Sequence, residues 1–259
     1  MSTPAVTVAP SLHAGLTYFV LSHLDLGRDA ASLYTPRPET PAWVPDLLGA
    51  YHAAPHRLAV HFAPLHTTDL IALFAWLDRP PPPLDTPGDR RLCERLFEAL
   101  EAETAAFEAR WSTTRASEDR RHEVAGALDA LCPLMEALWA RRDQAPPALV
   151  VLDAPALRGR GRGWATSARQ RVATSLSEPL EHVVCQVLHE AIHPVSDREL
   201  SPSPTTDRDT RLGAPGFAVH QGLEAHAVAV GEALVEAHAP ALVSSYARWR
   251  QRVGVPPTG

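Results

Sequence analysis

The chain has 259 residues, 45% of them apolar and 21% charged, and carries a formal net charge of −6. That balance excludes a disordered scaffold and gives enough apolar material for a sizeable core, in one large domain or two closely packed ones. A negative charge without a basic run excludes a general nucleic-acid surface, and there is no 18-residue apolar span that would enter a membrane.

The opening Met1-Ser2-Thr3-Pro4 lacks the basic stretch of a secretion signal, so a cytoplasmic location is expected. Ser11 to about Leu24 carries apolar residues at Leu12, Leu16, Phe19 and Val20, the spacing of an amphipathic helix. Thr35 to Pro45 holds four prolines and reads as a loop. Leu58, Val60 and Phe62 alternate with Arg57, Ala59 and His61, which predicts a strand. Thr68 to Leu77 reads as a short apolar helix ended by Pro80 to Pro83. A long helix is expected from Thr86-Pro87 to about Trp111. Another, capped by Ser117, should reach Arg141 with a bend or break near Pro133.

Gln144-Ala145-Pro146-Pro147 is the clearest boundary. It divides a helix-rich region, residues 1–146, from residues 147–259, where strands and the chemistry-bearing motif begin. Ala148 to Leu152 and Arg171 to Leu176 read as strands. The run Arg158-Gly159-Arg160-Gly161-Arg162-Gly163 has the look of an anion contact but lacks a phosphate-loop pattern, and an ordinary turn is the expectation.

His189-Glu190-Ala191-Ile192-His193 predicts chemistry. On a helix, residues four apart lie one above the other, so two imidazoles reach one metal while Glu190 stands beside them. The expected helix runs from Glu178 to His193, with Ser177 as cap, Pro179 in the first turn and Pro194 as stop. A third ligand must come from elsewhere. A later helix centred on Leu223, Ala227, Val230 and Leu234 offers Glu224 and His226, each displaced from the apolar centre by about 80° on opposite sides. Periodicity does not choose between them. The three cysteines, Cys93, Cys132 and Cys185, lie far apart in apolar helical patterns and read as reduced core thiols. All 24 basic residues are arginine, so an anionic cosubstrate would be held by arginine or a charged histidine.

A strand followed by a helix with HExxH resembles zincin-like folds. The fold class expected is therefore α+β, predominantly helical, with a short sheet packed on the HExxH helix in a zincin-like C-terminal half. The metzincin variant is excluded by Ser196 and Glu199 at its glycine and third-ligand positions, and by methionines only at 1 and 135. A gluzincin-like zinc metallopeptidase would use Glu224, 31 residues beyond His193, with Glu190 as general base.

Two pieces, Ser175 through the HExxH helix and Gln221-Gly222-Leu223-Glu224-Ala225-His226, are similar to the HExxH-motif peptide-modification proteins of ribosomally made peptide pathways. The resemblance covers roughly residues 165–235 and departs from the family at Glu224, where an aromatic residue is usual. It implies Fe(II) and 2-oxoglutarate as cofactors, hydroxylation of a peptide or protein side chain as activity, and His226 as third ligand. An arginine would then anchor the cosubstrate, with Arg169 and Arg171 as candidates by position. The expectation is thus a metalloenzyme acting on a peptide or protein, a hydroxylase ahead of a Zn(II) peptidase. A non-catalytic metal-binding protein is the third reading.

Overall fold

The computed structural model describes residues 6–26, 34, 37, 39–82, 84–141, 148–157, 159–166, 169–200 and 215–254, with backbone alone at 215–217. The expected boundary at Gln144–Pro147 and residues 201–214 lie outside the described residues. The chain is α+β and mostly helical, with ten α-helices among the described residues and one mixed four-stranded sheet. No described helix is long and apolar enough to cross a membrane.

In chain order the elements are β1 (Val6–Pro10), α1 (Leu12–Leu21), α2 (Val44–Ala53), α3 (Ala63–His66), α4 (Leu70–Asp78), α5 (Pro87–Thr114), α6 (Glu118–Asp129) and α7 (Cys132–Ala140). There follow β2 (Ala148–Asp153), β3 (Gly161–Ala165), β4 (Arg169–Thr174), α8 (Leu180–Leu200), α9 (Pro215–His238) and α10 (Val243–Val253). The sheet order is β1-β2-β4-β3, so β3 is an edge strand, paired antiparallel to β4.

The chain forms two compact units. One comprises Pro10–Arg115 and Asp153–Arg158; the other comprises Met1–Ala9, Ala116–Leu152 and Gly159–Gly259. The division at 146/147 drawn from the sequence therefore falls inside the second unit. The reason is packing: Val124 and Leu128 of α6 and Leu134 and Leu138 of α7 join one apolar core with Val183, Val187 and Leu188 of α8. Each fully buried Val or Leu adds about 1.5–3 kcal/mol, so these helices belong to the core they fill.

In the first unit α1, α2 and α4 pack on α5. Ser11, Asp69 and Thr86 cap α1, α4 and α5 by accepting backbone N–H bonds. Gly15 lets α1 approach α5 closely, since a Cβ there would lie 2.6 Å from the Trp111 ring. The strand expected at Leu58–Phe62 is instead a 3-10 helix, Arg57–Phe62. Val60 and His61 are buried consecutively, which alternation does not allow, and the Tyr51 hydroxyl lies 2.8 Å from the His61 Nε2.

Asp89, fully buried, accepts bonds from the His56 backbone N–H at 2.9 Å, the His56 ring at 2.9 Å and the Thr86 hydroxyl at 2.6 Å. Burial works to raise its carboxyl, but the Thr86 and His56 bonds and the His56 charge outweigh it and hold the group below its ordinary value.

In the second unit α8 packs against β3, β4, α9 and α10. Arg120 of α6 fixes its approach, donating from Nε to the Leu176 carbonyl at 2.8 Å and from Nη2 to the Glu178 carbonyl at 2.5 Å. The expected break near Pro133 is present, with α6 ending at Asp129 and α7 starting at Cys132.

Pro194 does not end α8. The helix continues to Leu200 with the proline inside it. A proline has no N–H to give the carbonyl four residues back, which here is that of Glu190. Gln170 of β4 supplies the missing donor, its Nε2 lying 3.1 Å from the Glu190 carbonyl oxygen. A tertiary contact thus replaces the lost helical bond and the helix runs on.

Two stability experiments follow. Gln170→Leu should cost about 1–3 kcal/mol in urea unfolding, because a buried carbonyl is left without a donor. In a Pro194→Ala background, where the helical donor is restored, that cost should shrink; equal costs in both backgrounds refute the compensation. Asp89→Asn should cost about 2 kcal/mol at pH 7. The depressed native carboxyl contributes above the unfolded value near pH 4 and loses its contribution as pH falls through the native value, so the gap to wild type should narrow at pH 3.

Candidate metal centre

Helix α8 brings His189 and His193 to one face, one turn apart, and α9 lays Glu224 across them. His189 Nε2 lies 3.1 Å from Glu224 Oε2 and 3.1 Å from His193 Nε2, and His193 Nε2 lies 3.4 Å from Glu224 Oε1. His189 is buried, while His193 and Glu224 are partly buried. Among the described residues these three are the group able to hold a metal ion.

The spacing tests that reading. Bonds of about 2.05 Å set ligand atoms about 3.3 Å apart around a tetrahedral ion and about 2.9 Å apart around an octahedral one. The His189–His193 separation of 3.1 Å falls in that range, and Glu224 sets one oxygen 3.1 Å from His189 Nε2 and the other 3.4 Å from His193 Nε2. At 3.1 Å the two Nε2 atoms either share a proton in an N–H···N bond or face one ion together. Nitrogen, nitrogen and carboxylate oxygen are donors that both zinc and non-haem iron accept.

The field of the site favours positive charge. Burial works to lower the His193 pKa, yet the Glu224 charge and the hydrogen bonds to Asp197 and Glu224 hold it well above its ordinary value. Burial likewise opposes ionisation of Glu224, but the His193 charge and the bonds from both histidines hold its carboxyl well below the usual carboxylate range. A divalent ion would take the place of that proton.

The two imidazoles are oriented differently. His193 Nδ1 lies 3.1 Å from the Asp197 carboxylate, a contact that fixes ring and tautomer. His189 Nδ1 is buried without a hydrogen-bond partner among the described residues, and its ring packs on Trp249, with centroids 4.9 Å apart at 47°.

Glu190 lies on the adjoining face of α8. Its Oε1 accepts from Gln186 Nε2 at 3.0 Å. The edge strand passes close over it: a Cβ on Gly163 would lie 3.0 Å from Glu190 Oε2, so any larger residue there would press on the carboxylate.

The other residues expected at the site are elsewhere. His226 points to Glu199, its Nε2 2.9 Å from Oε2, and does not join the group; of the two candidates for third ligand, Glu224 is the one the structure brings to the histidines. Arg169 and Arg171 alternate with Gln170 and Val172, whose register partners Ala165 and Gly163 lie on the sheet face that packs on α8. Strand alternation therefore turns both arginines to the opposite face, away from Glu190. Arg160, just before β3, has a charge that interacts with Glu224 and Glu190, while burial lowers its pKa. Cys185, one turn before His189, is fully buried and burial pushes its thiol up to about 12, the state of a packed, unreactive cysteine.

Asp197, Gln186 and Trp249 are absent from the sequence reading. Gln186, four residues before Glu190, lies within the helix read from the sequence, and its spacing is legible there; Asp197, four beyond His193, is hidden because Pro194 reads as the helix end. Trp249 gives no local signal.

No protein-family model, curated protein or solved structure matches this chain. What the site can do therefore rests on its own chemistry.

Zinc titration against a chromophoric chelator checks the ligand set. Glu224→Ala should lower affinity by more than about a hundredfold and Asp197→Ala by about 10- to 100-fold, while His226→Ala should leave it near wild type. Loss of uptake in the His226 variant would reverse the assignment.

Proposed function

We propose that this chain is a metal-dependent hydrolase of peptide or protein substrates, gluzincin-like in its ligand set, in which His189, His193 and Glu224 hold a divalent ion of the zinc type. The observation that carries the reading is Glu224 closing the group with the HExxH histidines together with the Glu190 carboxylate, held by Gln186 on the adjoining face as a general base. An ion in that set supplies Lewis acidity, polarising a carbonyl and making nearby water acidic at neutral pH.

The chain's own residues supply the rest. Gln186 holds the Glu190 carboxylate in place, and Glu190 takes a proton from water. The water oxygen adds to the peptide carbonyl carbon, the C–N bond breaks, and Glu190 returns the proton to the departing amine. The edge position of β3 supports an extended peptide as substrate, because the outer backbone groups of an edge strand pair with an added strand. Trp164, 41% exposed on that strand, offers an apolar contact beside it.

A second reading, Fe(II)- and 2-oxoglutarate-dependent hydroxylation of a peptide side chain, draws on the same donors, since two histidines and one carboxylate also serve non-haem iron. The charge of Arg160 near Glu224 and Glu190 favours it, as a guanidinium there would anchor the cosubstrate carboxylate.

Anaerobic purification with metal analysis, followed by a peptide-mixture assay, separates the two. Zinc occupancy, new peptide termini and a Glu190→Gln variant that binds metal but cleaves nothing are expected. Iron occupancy with succinate formed from 2-oxoglutarate and a +16 Da peptide product would overturn hydrolysis in favour of hydroxylation.

A further inference from the structure

We propose that Trp249, on α10, is the positioning residue for Glu190: its indole N–H locks the Gln186 carboxamide so that the amide group, not the carbonyl, faces the Glu190 carboxylate. This inference rests on the reading of Glu190 as general base.

The orientation of Gln186 is fixed by chemistry. An indole N–H only donates, and Trp249 Nε1 lies 3.1 Å from Gln186 Oε1, so that atom must be the carbonyl oxygen. The amide nitrogen then lies 3.0 Å from Glu190 Oε1, where it donates to a carboxylate. Turning the amide over would face two donors at one end and set a carbonyl against a carboxylate at the other. Gln186 is 2% exposed and Trp249 3%, so water does not relieve either clash.

The same indole touches the metal group. Its ring packs on His189, whose Nε2 meets Glu224 and His193 while its Nδ1 has no hydrogen-bond partner among the described residues, so the aromatic contact backs the ring on the side away from the group. From the other side, β3 leaves no slack: a Cβ on Gly161 would lie 2.9 Å from Gln186 Nε2, and one on Gly163 3.0 Å from Glu190 Oε2. Trp249 from one side and a glycine backbone from the other thus confine the Gln186–Glu190 pair to one geometry. Docking of α10 on α8 becomes a condition for a correctly aimed base.

The test combines nitrogen-15 NMR of the full-length chain with the peptide assay, using Trp249→Phe, Gln186→Met, their double variant and Glu190→Ala. The Trp249 indole resonance, assigned by its loss in the Phe variant, should move in Gln186→Met. The Gln186 side-chain amide pair should move in both Trp249→Phe and Glu190→Ala. Phenylalanine keeps the ring on His189, so zinc uptake should persist while kcat falls on the order of tenfold to a hundredfold at unchanged KM. The double variant should be no slower than Gln186→Met alone, because both act through one chain of contacts.

An unmoved Gln186 amide pair in Trp249→Phe, or losses that multiply in the double variant, would overturn the proposal, since mere packing is served by phenylalanine. If Trp249→Phe does not fold, Gln186→Met decides alone: its indole resonance must move and its kcat must fall. Linked resonances in a chain that takes up no zinc and cleaves no peptide would sink the hydrolase reading while leaving the Trp249–Gln186–Glu190 link in place.

Discussion

Two imidazoles and a carboxylate converge within about one coordination sphere at the meeting of α8 and α9, and much of the second unit is arranged to make that convergence tolerable. Bringing these groups out of water is costly, and their mutual attraction repays the cost only when geometry and counter-charge are good. Asp197 behind His193, Trp249 against His189 and the apolar stripe of α8 supply the geometry. A cation, either the proton on His193 or a divalent ion, supplies the charge.

The proline after the motif shows how local rules yield to tertiary ones. Pro194 removes a hydrogen bond at the residue whose side chain is the proposed base. Gln170 of β4 accepts the task of satisfying that carbonyl, which ties the strand to the helix at Glu190 itself. The extension of α8 past the proline then presents Asp197 to His193 and Glu199 to His226. Without those roughly two extra turns, His193 would lose its orienting carboxylate and His226 its partner.

Glycine at 161 and 163 belongs to the same arrangement. Side chains there would collide with Gln186 and Glu190, so the edge strand approaches the helix at backbone distance. An arginine- and glycine-rich run that reads as a turn is in fact where a strand must have no side chain on one face. The large residues it does carry, Arg162 and Trp164, alternate with the glycines.

The sequence by itself determined that α8 exists, that His189 and His193 share one of its faces with Glu190 beside them, and that a later helix centred on Leu223 and Val230 carries two competing ligands. Those features follow from a period of 3.6 residues, a local property. It also determined the helices that begin after Ser11 and Thr86, the cap at Ser117 and the strands β2 and β4. Only the tertiary structure decided between Glu224 and His226, because both sit at equal angles from the apolar stripe and the choice depends on the angle at which α9 crosses α8. The same holds for the helix through Pro194, the 3-10 turn at Arg57–Phe62, the membership of α6 and α7 in the second unit, and the contact of Trp249 with residues more than 50 positions earlier. Each depends on what packs against a segment, and no pattern within the segment encodes its neighbour.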